Sequence, residues 1–179
     1  MRRLPALATA RLQLRPFLLS DARIVQRLAG ERAVADTTLR IPHPYEDGMA
    51  EAWIATHEGA WTRHEEATLA IAEAEAGLVG AISVRIDLAQ RRGELAYWIG
   101  QPYWGRGYAT EAVRAMLGFG FDRLSLHRLW AQHFTRNPAS GRVLAKSGMR
   151  HEGTLRGHLI HRGVPEDVEI WGILAADRP

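Results

Sequence analysis

The amino-acid sequence predicts a single α/β domain with a mixed β-sheet, and three observations support this prediction. The length of 179 residues fits one hydrophobic core. Segments in which apolar residues alternate, as in strands, are interspersed with segments of three- and four-residue apolar spacing, as in helices. No internal repeat, low-complexity stretch or linker divides the chain, so we treat residues 1–179 as one domain.

The sequence of the N-terminal third of the chain indicates one strand and two helices. Polar and apolar side chains alternate over Arg11–Arg15, and Pro16 ends this strand. Ser20-Asp21 can cap a short helix that Gly30 closes. A second helix is predicted from about Glu46 to Arg63, where the candidate packing residues recur at helical spacing: Met49, Trp53, Ile54 and His57.

The middle of the chain predicts three antiparallel strands followed by a helix. The strands are Thr68–Glu73, Leu78–Ile86 and Glu94–Ile99, and turn-forming residues separate them. Helical spacing then returns as one apolar stripe from Ala109 to Gly120. The meander therefore leads directly into a helix.

The C-terminal third predicts a strand, a helix and a hairpin. The strand is Arg128–Phe134, and the helix begins at Pro138 and ends at Gly148. The hairpin strands lie near Met149–Ile160 and Asp167–Leu174, on either side of a turn at His161–Gly163. The complete order contains seven strands and four helices.

Composition excludes several classes of protein. Cysteine is absent, which excludes disulfide scaffolds, zinc ribbons, iron–sulfur clusters and cysteine nucleophiles. No apolar run reaches the roughly 20 residues that a membrane span needs, and the N-terminal apolar stretch is too short and broken for a signal peptide. We therefore expect a cytoplasmic protein with no membrane partner.

The charged residues and histidines favour neither nucleic acid nor a metal as a ligand. Twenty-three Lys and Arg against 20 Asp and Glu give a formal net charge of +3, and the arginines are scattered along the chain. Nucleic acid is therefore not the expected partner. His158 and His161 would lie on opposite faces of a strand with no paired carboxylate nearby, so no metal site is predicted.

The most informative segment runs from Gln101 to Ala112 and joins a predicted strand to a predicted helix. The first turn of a helix leaves backbone N–H groups unpaired at the positive end of its dipole, where a diphosphate can dock. Gly105 and Gly107 can adopt positive φ and curl successive amides around an anion, and Arg106 adds a positive charge. The common P-loop and dinucleotide-binding patterns are absent. Spacing alone leaves two interpretations open: a site for an acyl- or phosphate-carrying cofactor, and a plain connection.

The segment Trp104–Ala109 resembles the acetyl-CoA loop of the GNAT superfamily of N-acetyltransferases, whose pattern is Gln or Arg, two residues, Gly, one residue, then Gly or Ala. Gly107 and Ala109 match the last two positions, and Trp104 departs from the first. Tyr103–Gly107 reads Tyr-Trp-Gly-x-Gly, as in the ribosomal-protein N-terminal acetyltransferase (RimJ/RimL-like) branch. Further matches follow in order between residues 9 and 175: Leu95–Ile99, Thr110–Ala112, His127–Leu129, Asn137–Ser140, Lys146–Met149, Glu152–Gly153, Gly163 and Asp167.

This resemblance implies the GNAT fold, a mixed and mostly antiparallel seven-stranded sheet flanked by four helices, and an enzyme that uses acetyl-CoA. It implies that the cofactor is bound by Trp98, Ile99, Trp104, Gly105, Arg106, Gly107, Tyr108, Ala109, Thr110, Asn137 and Ser140. Amides from Gly105 to Thr110 would hold the diphosphate, and the pantetheine arm would lie beside Tyr97, Trp98 and Ile99, between strands that splay apart. A backbone N–H of Trp98 or Ile99 would stabilise the oxyanion.

For catalysis, the resemblance implies that Asn137 holds the pantetheine amide and that Ser140 protonates the departing thiolate. The residues also allow a purely structural interpretation, in which Asn137 caps the helix and Ser140 supplies an ordinary first-turn hydroxyl. Glu94 is the best-placed general base, whereas Glu111 could be a base or could simply complement the helix dipole. Some relatives carry an acidic residue near the terminal hairpin, where this chain has His158 instead.

The expected reaction is the acetylation of a primary amine, and the RimJ/RimL-like branch suggests a protein N-terminus as the acceptor. Two alternatives stay open: a small-molecule amine as the acceptor, and a non-catalytic CoA-binding sensor module. The family also suggests a homodimer, which the terminal hairpin could mediate.

Overall fold

The computed structural model describes residues 4–178, and its strands form one eight-stranded sheet in the order β1-β2-β3-β4-β5-β6-β8-β7. The strands are β1 (Leu7–Ala8), β2 (Leu12–Arg15), β3 (Glu66–Glu73), β4 (Gly77–Asp87), β5 (Arg92–Ile99), β6 (Arg128–Phe134), β7 (Arg150–His161) and β8 (Val164–Leu174). The α-helices are α1 (Ala22–Ala29), α2 (Arg32–Ala35), α3 (Met49–Ala55), α4 (His57–Thr62), α5 (Tyr108–Gly118) and α6 (Pro138–Lys146). A turn of π-helix, Phe119–Arg123, follows α5. None of the helices in this described part of the chain is both long and apolar enough to cross a membrane.

The predicted mixed, mostly antiparallel sheet is confirmed, with one strand more than the seven expected. The additional strand is β1, which pairs antiparallel with β2 through Leu7↔Leu14 and Ala8↔Gln13. A two-residue strand is too short to show an alternation of apolar and polar residues, so the sequence carries no signal for it.

The prediction of one helix from Glu46 to Arg63 was wrong in its start and its continuity. The helical segment begins at Met49, after Gly48 in the left-handed region (φ 84°), and it is interrupted at Thr56 between α3 and α4. The Thr56 hydroxyl donates a hydrogen bond to the Trp53 carbonyl oxygen (2.7 Å), a local bond that competes with regular helix geometry. The four-residue helix α2 was also missed.

The sheet consists of two antiparallel halves joined by a short parallel contact. Among the described strands, β5 and β6 form the parallel pair, and their pairing runs only from Arg92↔Arg128 to Leu95↔Ala131. Beyond this point, β5 continues to pair with β4 and β6 continues to pair with β8. A gap therefore opens between residues 96–99 and residues 132–134, as the resemblance implied; we call it the wedge.

Apolar side chains cover both faces of the sheet. On one face, α5 buries Val113 and Met116 completely against strand residues such as Leu129. On the other face, Val25 and Leu28 of α1 pack near Trp98 of β5. Because side chains alternate along a strand, Leu95, Tyr97 and Ile99 point towards α5 and α6, whereas Glu94, Ala96 and Trp98 point to the opposite face.

Candidate active site

The loop between β5 and α5 has the backbone conformation that its glycines predict. Gly105 (φ 76°) and Gly107 (φ 81°) are both in the left-handed region, and Gly107 is the N-cap of α5. No side chain of the described residues caps this helix, and Glu111 N–H donates to the Gly107 carbonyl oxygen (3.1 Å). The amides of Tyr108, Ala109 and Thr110 precede this first helical bond, so they have no partner within the helix. Unpaired amides of this kind lie at the positive end of the helix dipole, where an anion is favoured.

Two side chains of the loop pack back onto the protein. Trp104 departs from the family pattern, and its indole N–H donates to the Ile99 carbonyl oxygen at 2.6 Å. This bond fixes the loop to the end of β5 while 46% of the residue stays exposed. The guanidinium of Arg106 lies over the Tyr103 ring, 5.5 Å from its centre. Arg106 therefore remains at the protein surface as an additional positive charge.

Glu111 holds the turn between β1 and β2 against the start of α5. Its carboxylate accepts hydrogen bonds from the Thr9 hydroxyl (2.6 Å), the Arg11 backbone N–H (2.8 Å) and Arg11 Nε (2.8 Å). We call these three residues the Glu111 clamp. Burial alone would raise the pKa of Glu111, but the hydrogen bonds from Thr9 and Arg11 outweigh it and lower the pKa. An anion held in this way is poorly suited to accept a proton, so the clamp disfavours the hypothesis that Glu111 is the base.

The wedge exposes one edge of β5 to the β6 side. Gly100 N–H donates to the Val79 carbonyl oxygen of β4 (2.9 Å). Backbone groups alternate between the two edges of a strand, so Trp98 also faces β4 and the amide of Ile99 faces the wedge. Of the two backbone donors that the sequence left open, Trp98 and Ile99, this geometry favours Ile99.

The start of α6 shows the helix cap that one interpretation of Asn137 predicts. Asn137 is the N-cap: its Oδ1 accepts a hydrogen bond from Ser140 N–H (3.3 Å), and Pro138 follows it. This cap makes no use of the Asn137 amide group Nδ2. The Ser140 hydroxyl instead lies 2.6 Å from the phenol oxygen of Tyr97, which reaches it from β5.

The Tyr97–Ser140 pair places two hydroxyl groups at the side of the wedge that faces α6. Burial raises the pKa of Tyr97 to about 12, although the hydrogen bond with Ser140 acts in the opposite direction. The phenol therefore stays protonated at neutral pH. Sequence reasoning placed Tyr97 beside the pantetheine arm but gave no sign of its contact with Ser140, which is 43 residues away.

Glu94 lies on the opposite face of the sheet from Ser140, so the structure does not bring the two predicted catalytic residues together. One carboxylate oxygen of Glu94 accepts a hydrogen bond from Arg85 Nη1 (2.8 Å), and the other accepts one from Gln132 Nε2 (3.1 Å). The Glu94 side chain is 19% exposed. Glu94 as a proton acceptor and the Tyr97 and Ser140 hydroxyls as donors could therefore act on opposite sides of a group bound in the wedge.

His158 and His161 of the terminal hairpin differ in exposure. His158 is exposed on β7, whereas His161 is 7% exposed and its Nδ1 lies 3.2 Å from Arg136 Nη2. Within residues 4–178, no group of three or more His, Cys, Asp or Glu side chains is arranged to hold a metal ion.

Comparison with known proteins identifies the family of this fold and loop. The uncharacterized N-acetyltransferase YoaA of Bacillus subtilis (strain 168) is 38% identical over 99 residues, which cover 54% of this chain and 55% of YoaA. The [ribosomal protein uS5]-alanine N-acetyltransferase of Escherichia coli (strain K12) is 30% identical over 83 residues, 46% of this chain and 43% of that enzyme. The matches thus span about half the length of these curated relatives or less.

Structural similarity extends over nearly the whole chain. Mycobacterium smegmatis RimJ in complex with CoA-disulfide has a TM-score of 0.89 and 23% sequence identity, over 98% of this chain and 90% of RimJ. The family profile described as "Acetyltransferase (GNAT) domain" matches residues 11–150. Taken with the splayed sheet and the loop before α5, this match shows that the chain belongs to the GNAT acetyltransferase family.

Proposed function

We propose that this protein is an N-acetyltransferase that transfers an acetyl group from acetyl-CoA to a primary amine by direct attack on the thioester. The observation that carries the proposal is the uncapped start of α5, with Gly105 and Gly107 at positive φ, at the end of the strand that borders the wedge. Acetyl-CoA would supply the activated acetyl group as a thioester, joined to a diphosphate by an extended arm.

The residues present fit both ends of this co-substrate. The amides between Gly105 and Thr110 would bind the diphosphate, with Arg106 as an additional charge and Trp104 as the residue that fixes the loop. The wedge would accept the pantetheine arm, because strand edges without a partner strand can pair with its amide groups. Asn137 Nδ2, which its capping role leaves unused, would donate to the same arm.

The chemistry would be divided between the two faces of the sheet. The Ile99 amide would donate to the developing oxyanion, a contribution that depends on a donor positioned in advance. Ser140, hydrogen-bonded to Tyr97, would donate a proton to the sulfur as the carbon–sulfur bond breaks, and its hydroxyl would regain a proton from solvent. The amine would approach from the opposite face and lose its own proton to Glu94 or to water.

Glu94 acts as a base in this scheme only if the incoming amine shares an oxygen with Arg85 or Gln132, because both carboxylate oxygens already accept hydrogen bonds. An N-terminal amine has an ordinary pKa near 8, so it needs little help to lose its proton at neutral pH. His158 is exposed on the hairpin and stays an alternative base.

We further propose a protein N-terminal α-amine as the acceptor. The name of the Escherichia coli relative supports this class of acceptor. Ala96 also leaves the acceptor face of β5 exposed next to Glu94, and an open surface can admit a polypeptide. A small-molecule amine and a non-catalytic sensor are the alternatives that the test below separates.

The test combines binding with product analysis. Calorimetry should detect binding of CoA to the full chain, and mass spectrometry of an amine panel with acetyl-CoA should show a gain of one acetyl group on peptides with a free N-terminus. Acetylation of polyamines or amino acids alone would show that the acceptor is a small-molecule amine. CoA binding without acetylation of any amine would favour the sensor, and the absence of CoA binding by the folded protein would refute the proposal.

A homodimer and a cytoplasmic location stay predictions. β7 lies at the edge of the sheet, and most of its residues are exposed, so its backbone could pair with a second copy of the chain. Light scattering coupled to gel filtration measures the number of copies directly.

A further inference from the structure

Arg11 stands next to the proposed diphosphate site, although it precedes that loop by almost 100 residues. Its Nη1 donates to the Arg106 carbonyl oxygen within the loop (3.0 Å), and its guanidinium lies over the Tyr108 ring, 5.0 Å from the centre. A Cβ atom placed on Gly107 would lie only 3.3 Å from Arg11 Nη2. The guanidinium therefore touches the loop at the residue that caps α5.

We propose that Arg11 binds the diphosphate of coenzyme A and that Glu111 is the positioning residue that holds its guanidinium at the loop. This inference rests on the proposed function and adds a cofactor-binding residue from outside the glycine-rich loop.

The guanidinium has the donors and the exposure that this role needs. It carries five N–H groups, and its contacts with Glu111 and the Arg106 carbonyl leave donors for a ligand. The Arg11 side chain is 49% exposed. It lines an open groove of about 770 Å³, and the other lining residues include Gly107, Thr110, Arg114 and Lys146. A ligand at the start of α5 can therefore reach Arg11 through solvent.

Glu111 makes the proposal testable because its charge and its position act in opposite directions. As a negative charge beside an anion site, Glu111 should weaken the binding of a diphosphate. Its carboxylate also accepts a hydrogen bond from Arg11 Nε at 2.8 Å, which holds the planar guanidinium in place. By orienting the guanidinium in advance, Glu111 should strengthen the binding of a diphosphate. Glu111→Gln removes the charge and keeps the shape, so the sign of its effect separates a general electrostatic role from a positioning role.

The experiment measures the affinity of the full chain for CoA and for 3′-dephospho-CoA by calorimetry. We expect Arg11→Ala to weaken both by about tenfold or more, the usual scale for a charge-assisted hydrogen bond. Arg11→Lys keeps the charge without the planar fork and should fall between Arg11→Ala and wild type. Glu111→Gln should weaken both ligands by about threefold or more, on the same scale.

The matched control is Arg63→Ala. It removes another exposed arginine that is paired with a neighbouring carboxylate, Glu65, away from the loop. It changes the net charge as Arg11→Ala does, so its affinity for both ligands should equal that of wild type. Thermal unfolding without ligand checks the fold, and if Arg11→Ala does not fold, Arg11→Lys and Glu111→Gln carry the test.

Each contrary result has its own meaning. Wild-type affinity in all three variants, or tighter binding by Glu111→Gln, would overturn the roles of Arg11 and Glu111 while leaving the proposed function intact. If the variants lose affinity for CoA but bind 3′-dephospho-CoA as tightly as wild type does, the assignment of Arg11 to the diphosphate is overturned. No binding of CoA by the wild-type protein would instead refute the proposed function itself.

Discussion

The two helices that begin beside the wedge start in opposite ways. At α6, the Asn137 side chain accepts the Ser140 amide, and Pro138 has no N–H to satisfy. At α5, the N-cap is Gly107 in the left-handed region, and no side chain of the described residues caps the helix. The start of α6 thus has a side-chain cap from within the chain, whereas the start of α5 has none from the described residues. In the proposed function, α5 would supply cofactor binding and α6 would supply the acid.

The largest expected effect tests the chemical side of this comparison. Ser140→Ala should lower the turnover rate by about 100-fold, the lower end for loss of a general acid, with little change in CoA affinity. Tyr97→Phe should lower the rate through the same hydroxyl, so the double variant should be no slower than Ser140→Ala.

The control for this prediction is Ser147→Ala, which removes a buried hydroxyl bonded to the Val143 carbonyl at the far end of α6. Its turnover should be close to that of wild type. Equal turnover in Ser140→Ala and wild type would mean that Ser140 is an ordinary first-turn residue.

The next effect tests the binding side. Gly107→Ala should weaken CoA binding by more than about tenfold, because an L-residue is disfavoured in this conformation and its Cβ would crowd Arg11 at 3.3 Å. Gly48→Ala is the matched control: Gly48 is also a left-handed N-cap, and its added Cβ would meet no described atom within 4 Å beyond the adjacent residues and its own helix backbone.

Both glycine variants should lose about 1–2 kcal/mol of unfolding free energy, because both force alanine into the left-handed region. Denaturant unfolding measures this loss, and calorimetry measures CoA affinity. A similar loss of CoA affinity in Gly48→Ala would show that the effect arises from instability and not from the loop.

A smaller effect separates capping from cofactor contact at Asn137. Asn137→Ala should lose about 1 kcal/mol of unfolding free energy, whereas Asn137→Asp, an equally good N-cap, should keep it. Both variants lack the Nδ2 group, so both should raise KM for acetyl-CoA. Unchanged kinetics in Asn137→Asp would mean that Asn137 caps the helix and does not contact the cofactor.

The smallest expected effect is the pH dependence of the Glu111 clamp. Because the folded pKa of Glu111 is lowered from its ordinary 4.5, the clamp stabilises the fold fully above this value and loses its contribution as pH falls through the lowered pKa. Thermal unfolding of Glu111→Gln and wild type should differ modestly at neutral pH, by less than about 1 kcal/mol because Arg11 is half exposed, and should converge in acid. A difference that persists in acid would contradict an ionic clamp.

The local features of the site could be predicted from sequence, and the long-range ones could not. Gly105 and Gly107 at positive φ follow from the freedom of glycine, and the start of α6 follows from Asn137-Pro138. The contacts of Arg11 with Glu111 and of Tyr97 with Ser140 join residues 100 and 43 positions apart, and no periodicity encodes such pairs.

The same distinction applies to the fold. Alternation and helical spacing predicted the principal strands and helices, because these have enough residues to display a period. They missed β1 and α2, which have two and four residues, and the interruption at Thr56, which involves a single residue.

The short junction between β5 and β6 has a mechanical consequence. Four residue pairs hold the two antiparallel halves of the sheet together in parallel register, and beyond them the halves separate. A molecule bound between the halves could form hydrogen bonds with strand edges that have no partner strand there. It would thereby link the two halves beyond the four residue pairs. In the proposed function this molecule would be acetyl-CoA, so occupancy of the wedge and rigidity of the sheet should rise together.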